Sequence, residues 1–248
     1  MVRPSTLDYL LEICNRRGAG YLTLLDPDRL PPDELEERAK TCADADADAI
    51  LVGTSLMLSD HSSVFQRIKG TVDIPVIIFP GSVGQIVPTA DAILFLSLIS
   101  GRNPELLIGQ HVKAAPLLKE YGVEAIPTGY ILIESGTFTS VEFMSNTRPI
   151  PRAKNDIAMA HALAAQYLGM RLIYLEAGSG ALDPVPDEMV RAVVDYVSLP
   201  VMVGGGIRDP ETAHAKVEMG ARFVVTGTAV ENDPGRLREL GKAVHTIG

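Results

Sequence analysis

Short apolar runs recur along the chain at residues 21–25, 49–52, 76–79, 92–96, 129–133, 172–176, 201–203 and 223–226. Most lack polar alternation, which predicts strands buried on both faces, as in a parallel sheet covered by helices. Between most of them the apolar positions take up helical spacing. This predicts helices over 32–42, 63–69, 105–121, 155–167, 187–196, 210–219 and 234–246. Several of these open with proline or an acidic residue and end near glycine. Another helix, over 5–17, aligns Leu7, Leu10, Leu11 and Cys14 on one face and stops at Gly18 and Gly20. It precedes the first strand, so it is expected to cap the bottom of the sheet. Eight strands alternating with helices predict an α/β fold, a (β/α)8 TIM barrel.

One interval breaks the rhythm. Residues 80–91 read P-G-S-V-G-Q-I-V-P-T-A-D, with two prolines and two glycines. That is too short and too broken for a crossover helix. The third helix is therefore expected to be missing or replaced by an extended segment. No linker or low-complexity stretch divides the chain, so 1–248 is expected to form a single barrel domain, a size usual for such barrels.

Composition narrows the partners. The net charge of −9 argues against nucleic acid, whose backbone needs a basic face, but leaves room for a small phosphorylated substrate. Cys14 and Cys42 have no metal-ligand spacing, which fits a reducing, cytoplasmic setting. Residues 1–15 carry Arg3, Asp8 and Glu12 and do not read as a signal peptide. No apolar run has the length of a membrane span. The five histidines form no zinc pattern, and His161 and His214 read as packing or solvated positions.

The chemistry concentrates at strand ends. Y-L-E-A-G-S-G-A, from Tyr174 to Ala181, is a buried strand that delivers Glu176 into a glycine loop. V-M-V-G-G-G-I-R (Val201 to Arg208) and F-V-V-T-G-T (Phe223 to Thr228) repeat the design. One such loop would be a tight turn. Three in series, the first with a glutamate inside, point to a phosphate cradle at the rim where barrel enzymes hold their sites. The first strand ends in T-L-L-D-P-D and the second in V-G-T-S-L. Asp26 reads either as a helix N-cap or as a rim carboxylate that holds Mg²⁺ together with the hydroxyls of Thr54 and Ser55. The fifth ends in I-L-I-E-S-G-T-F, where Glu134 is a second acid or base or a loop-organising group. Met57, Leu58, Ile77, Phe79, Leu96, Leu98 and Ile99 are mostly core, with some expected to line a groove for a hydrocarbon tail.

Together, L-D-P-D, G-T-S-L, Y-L-E-A-G-S-G-A, V-G-G-G-I-R and T-G-T resemble the geranylgeranylglyceryl phosphate synthase family, which includes bacterial heptaprenylglyceryl phosphate synthases. The resemblance spans nearly the whole chain. It implies a modified barrel whose third helix is replaced, in agreement with the broken interval. It also implies transfer of a prenyl group from a prenyl diphosphate to the 3-hydroxyl of sn-glycerol 1-phosphate, the first ether bond of archaeal-type lipids. By the same resemblance Mg²⁺ is held by Asp26 and Ser55. The glycerol phosphate is held by Tyr174, Leu175, Glu176, Ala177, Gly178, Ser179 and Gly180, with Gly205, Gly206, Gly227 and Thr228. Glu176 is the base placed to take the hydroxyl proton, with Tyr174 positioning the substrate. One branch of the family has lysine two residues before the first aspartate. Leu24 stands there, which points to the other branch and to a homo-oligomer. Membrane contact is expected to be at most peripheral. Prenyl length depends on groove depth and stays open. Two other readings compete: a sugar-phosphate isomerase working with Asp26 and Glu134, and a non-catalytic phosphate- or lipid-binding barrel.

Overall fold

The computed structural model describes residues 5–56, 58, 60–227 and 234–246, so Met57 and Thr228 lie outside the described residues. Eight strands pair in chain order, all parallel: β1 (Gly20–Leu25), β2 (Ala49–Val52), β3 (Val76–Ile78), β4 (Ala92–Leu98), β5 (Glu124–Leu132), β6 (Leu172–Glu176), β7 (Val201–Gly204) and β8 (Phe223–Thr226). β8 returns to β1 and closes the barrel. Around it stand α1 (Thr6–Arg17), α2 (Pro32–Asp44), α3 (His61–Thr71), α4 (Gln110–Tyr121), α5 (Ser140–Ser145), α6 (Asn155–Tyr167), α7 (Asp187–Tyr196), α8 (Pro210–Glu218) and α9 (Leu237–Val244). Among the described residues no helix is long and apolar enough to cross a membrane.

The expected break is present. Between β3 and β4 the only helical structure is the 3-10 turn Val83–Gln85. Other boundaries moved. β5 begins at Glu124, well before 129, because Pro127 and its polar neighbours hide the strand in the sequence. Pro127 has no N–H to give, but its carbonyl accepts Arg171 N at 2.8 Å, so the ladder to β6 survives. The helix expected over 105–121 starts as a π turn, Glu105–Gly109, before becoming α4. α5 was not expected at all; at six residues it is too short to show a period.

Two apolar layers explain the strand pattern. Inward residues such as Leu22, Leu51, Ile77, Leu94 and Leu172 fill the barrel, while outward ones such as Tyr21, Ile50, Ile78 and Ile173 meet the helices. α1 closes the bottom by adding Leu7, Leu10 and Cys14 to the inner layer. Burying each of its leucines is worth about 1.5–3 kcal/mol. Glu124, at the foot of β5, fixes the start of α1. Its carboxylate accepts Ser5 Oγ at 2.6 Å and the backbone N–H of Thr6. A negative charge there also suits the helix dipole. With the bottom plugged, the open end of the barrel is the C-terminal rim.

Candidate active site

Strand periodicity decides which residues of Y-L-E-A face the rim. Along β6, Leu172 and Tyr174 join the barrel interior, whereas Ile173, Leu175 and Ala177 join the outer layer against the helices. Glu176 follows Tyr174 inward, opposite Gly204 of β7 and Leu132 of β5. A cavity of about 690 Å³ opens above them. Tyr174, Glu176, Gly178, Ser179, Gly205, Gly206 and Gly227 all wall it. Leu175, Ala177 and Gly180 do not, so Leu175 and Ala177 can offer a ligand only backbone, their side chains being committed to the helix layer.

The loops after β6 and β7 need their glycines. Gly178, Gly205 and Gly206 have φ of 96°, 82° and 72°, a region that side chains disfavour. Gly204 needs the space too, since a Cβ there would meet the Tyr174 hydroxyl at 2.4 Å. Successive glycines in this conformation turn their amides toward one concavity, the arrangement that binds anions. Arg208 ties the two loops together by donating to the carbonyls of Leu182, at 3.0 Å, and Ala181.

Glu176 is buried, and its Oε1 accepts Gly178 N at 2.6 Å. Burial raises its pKa above the ordinary glutamate value, while the Tyr174 hydroxyl and the Gly178 N–H oppose that rise. The Tyr174 hydroxyl completes no hydrogen bond of good geometry, although it lies within electrostatic reach of the carboxylate. Burial and that charge push its own pKa well up, so it stays a neutral phenol. Tyr174, Tyr130 and Phe79 form a cluster of rings with centroids 5.4–6.1 Å apart beside Glu176.

Asp26 sits at the opposite wall. It is not the N-cap of α2, which starts six residues later behind Pro31. Its Oδ1 accepts Asp28 N at 3.0 Å, and its Oδ2 meets the Thr54 hydroxyl and Arg29 Nε, each at 3.3 Å. Ser55 walls the same corner. Arg29, a residue that the strand-end motifs did not flag, spans the mouth to Ser179 Oγ at 3.3 Å. Among the described residues no three His, Cys, Asp or Glu side chains converge as a metal cluster. One carboxylate with neighbouring hydroxyls is a hard-oxygen set, which suits an ion that takes its remaining ligands from water and substrate phosphate.

From this corner the cavity runs into an apolar groove walled by Phe79, Val83, Ile86, Phe95, Leu96, Leu98, Leu106 and Ala114. Of the side chains read as mostly core with some lining a groove, Ile77 and Ile99 are core, Phe79, Leu96 and Leu98 wall the groove, and Leu58, 81% exposed, does neither. Period-2 alternation turns Ile77 into the closed part of the barrel. A buried polar group intrudes: His111, whose Nε2 lies 3.1 Å from Ser97 Oγ and whose ring stands edge-on to Phe95. Burial lowers its pKa, so it is neutral in the groove. The outer lip is α5 and its approach, where Phe138, Phe143 and Met144 wall the cavity yet are more than half exposed.

Glu134 does not wall the cavity; its Oε2 accepts Arg152 N at 3.4 Å, and Arg152 also bonds Pro184 O at 2.7 Å. It organises loops. His161 and His214 are on outer helices, each with Nδ1 close to a backbone carbonyl, Ile157 O and Ala243 O.

Residues 11–245 match the model of the PcrB family. A geranylgeranylglyceryl phosphate synthase of Chitinophaga pinensis is 46% identical over 235 residues, 93% of each chain. One of Thermofilum pendens is 40% identical, over 98% of this chain and 95% of its own. Among solved structures, the (S)-3-O-geranylgeranylglyceryl phosphate synthase of Thermoplasma acidophilum, in complex with its substrate sn-glycerol-1-phosphate, superposes with a TM-score of 0.89 at 37% identity. That match covers 95% of this chain and 98% of the other.

Proposed function

We propose, from the premise that the chain belongs to the PcrB family, that it is a geranylgeranylglyceryl phosphate synthase. It transfers a geranylgeranyl group from geranylgeranyl diphosphate to the 3-hydroxyl of sn-glycerol 1-phosphate. One observation carries the reading: a buried carboxylate, Glu176, stands between a glycine cradle suited to a phosphate and an apolar groove suited to a hydrocarbon tail. The relative of known structure binds sn-glycerol 1-phosphate on the same fold.

The division of labour follows from the walls. Backbone amides of Gly205, Gly206 and Gly227 hold the glycerol phosphate, with Ser179 and Arg29 at its edge. Glu176 accepts the 3-hydroxyl proton as that oxygen attacks C1 of the prenyl chain. The new C–O ether bond forms, the C1–O bond to diphosphate breaks, and the diphosphate leaves with the electron pair. Positive character grows on the allylic carbon, and the faces of Phe79, Tyr130 and Tyr174 favour it. Burial that raises the pKa of Glu176 strengthens it as a base. Asp26, with the hydroxyls of Ser55 and Thr54, is suited to hold Mg²⁺, which when bound supplies charge neutralisation for the leaving diphosphate. The groove walls take up the prenyl tail, each buried methylene contributing about 0.8 kcal/mol. Tyr167, Leu168 and Tyr196, exposed at the ends of α6 and α7, supply apolar surface for a homo-oligomer.

The test is incubation with sn-glycerol 1-phosphate, geranylgeranyl diphosphate and Mg²⁺, followed by mass spectrometry. The expected product is the geranylgeranyl ether of glycerol phosphate. Its absence, with diphosphate unreleased, would remove the assignment.

A further inference from the structure

Gln85 ends the 3-10 turn in the segment that replaces the third helix, and its side chain is fully buried. The amide is satisfied at both ends. Its Oε1 accepts Gly81 N at 2.7 Å, and its Nε2 donates to Thr54 O at 2.8 Å. The second bond crosses from the β3–β4 segment to the loop after β2. These two loops meet backbone to backbone. A Cβ on Gly81 would stand 2.4 Å from Thr54 O, and one on Gly53 would stand 1.8 Å from Phe79 O.

Each end of this link touches a different part of the site. On one side, Val83 and Ile86 flank Gln85 and wall the apolar groove. On the other, Thr54 carries the hydroxyl that reaches Asp26 Oδ2. A crossover helix would have fixed the groove wall by its own ladder of hydrogen bonds. Here the turn has little of its own, Gln85 N to Ser82 O and Ile86 N to Val83 O, both at 3.2 Å. The one side chain that bridges it to the corner is an amide, which offers an acceptor to Gly81 and a donor to Thr54 at once.

We propose that Gln85 is a positioning residue that sets the prenyl groove at a fixed offset from the corner taking the diphosphate and its metal ion. The inference rests on the prenyltransferase reading and goes beyond it, because Gln85 walls neither the groove nor the corner. It acts only through Thr54 and Gly81. The glycerol phosphate cradle, on β6 to β8, is not part of the link.

The experiment is a split of kinetic constants in Gln85→Met, which keeps length and removes both hydrogen bonds. Losing two buried hydrogen bonds should raise KM for geranylgeranyl diphosphate, and the Mg²⁺ concentration for half-activation, by about tenfold or more. KM for sn-glycerol 1-phosphate should stay unchanged. Gln85→Glu keeps the acceptor for Gly81 and loses the amide donor to Thr54 O, and it decides by the same split if the methionine variant does not fold. A folded variant in which both substrates' KM values move together, or neither moves, overturns the role of Gln85 alone. Wild-type protein in the same assay separates the two questions: no ether product there overturns the prenyltransferase reading itself.

Discussion

Gly205 and Glu176 are in contact across the loops after β6 and β7: a Cβ on residue 205 would stand 2.4 Å from Glu176 Oε1. The carboxylate and the glycine loop therefore share one packing constraint. Gly205→Ala must displace the carboxylate and also place alanine at a φ of 82°. The backbone cost alone is about 1–2 kcal/mol. Thermal unfolding should show that loss, and turnover should fall at least about tenfold as the carboxylate is displaced. An alanine variant with wild-type rate would show that the carboxylate has room to spare.

Glu176→Gln keeps shape and hydrogen bonding but cannot take a proton, so the rate constant should fall by about 100- to 10,000-fold. Affinity for glycerol phosphate should change much less. A loss confined to binding would make Glu176 a substrate anchor instead.

The raised pKa of Glu176 fixes two signs. The base form disappears as pH falls through the folded value, so the acid limb of kcat/KM should lie above the ordinary value of about 4.3. The stability that comes from the raised pKa is fully present below the unfolded value and is lost as pH rises through the folded one. The melting-temperature advantage of Glu176→Gln over wild type should therefore grow from acid to neutral pH. A constant difference would mean that the buried carboxylate is not strained by its charge.

Asp26→Asn should remove Mg²⁺-dependent turnover and leave the fold intact. Asparagine Oδ1 still accepts Asp28 N, and the ion pair given up involves a half-exposed Arg29, worth at most about 1 kcal/mol. A rate and metal dependence close to wild type would reduce Asp26 to a turn residue.

Ala114 reaches the groove from α4 and is almost fully buried. Ala114→Phe should shift preference from geranylgeranyl to shorter prenyl diphosphates, since each methylene denied burial forfeits about 0.8 kcal/mol. Product masses from mixed donors measure it. An unchanged chain-length profile would place the tail elsewhere.

Glu124→Ala tests the other end of the barrel. It removes the acceptor for Ser5 and Thr6 and should lower stability by about 1–2 kcal/mol, with KM and kcat unchanged. A matching loss of activity would couple the plug to the rim.

What could be read in advance was whatever repeats or stands alone in its window. Eight apolar runs announce the strands, two prolines and two glycines announce the missing helix, and Glu176 is the one acid in a glycine-flanked apolar run. Period-2 alternation would also have turned Leu175 and Ala177 away from the cavity. What stayed hidden depends on partners distant in sequence. Gln85 is an ordinary glutamine until Thr54 O lies 2.8 Å away, and Arg208 is a surface charge until Ala181 and Leu182 face it. The start of β5 was masked by Pro127, and of the lip residues Phe143 belongs to a helix too short to have a pattern and Phe138 to the loop before it.

The loops after β6 and β7 line the head of the cavity with glycines, whereas side chains line its tail, and this difference governs how the two parts can change over generations. Contacts made by main-chain amides persist whatever codon drift brings, provided that the glycines stay. Such a head has almost no neighbouring sequences to explore. The tail is the reverse, because Val83, Ile86, Leu106 and Ala114 can each grow or shrink by a methyl group at modest cost. Descendants of this chain can therefore exchange one lipid length for another while keeping the polar substrate fixed. The two ends of the cavity can thus vary almost independently of each other.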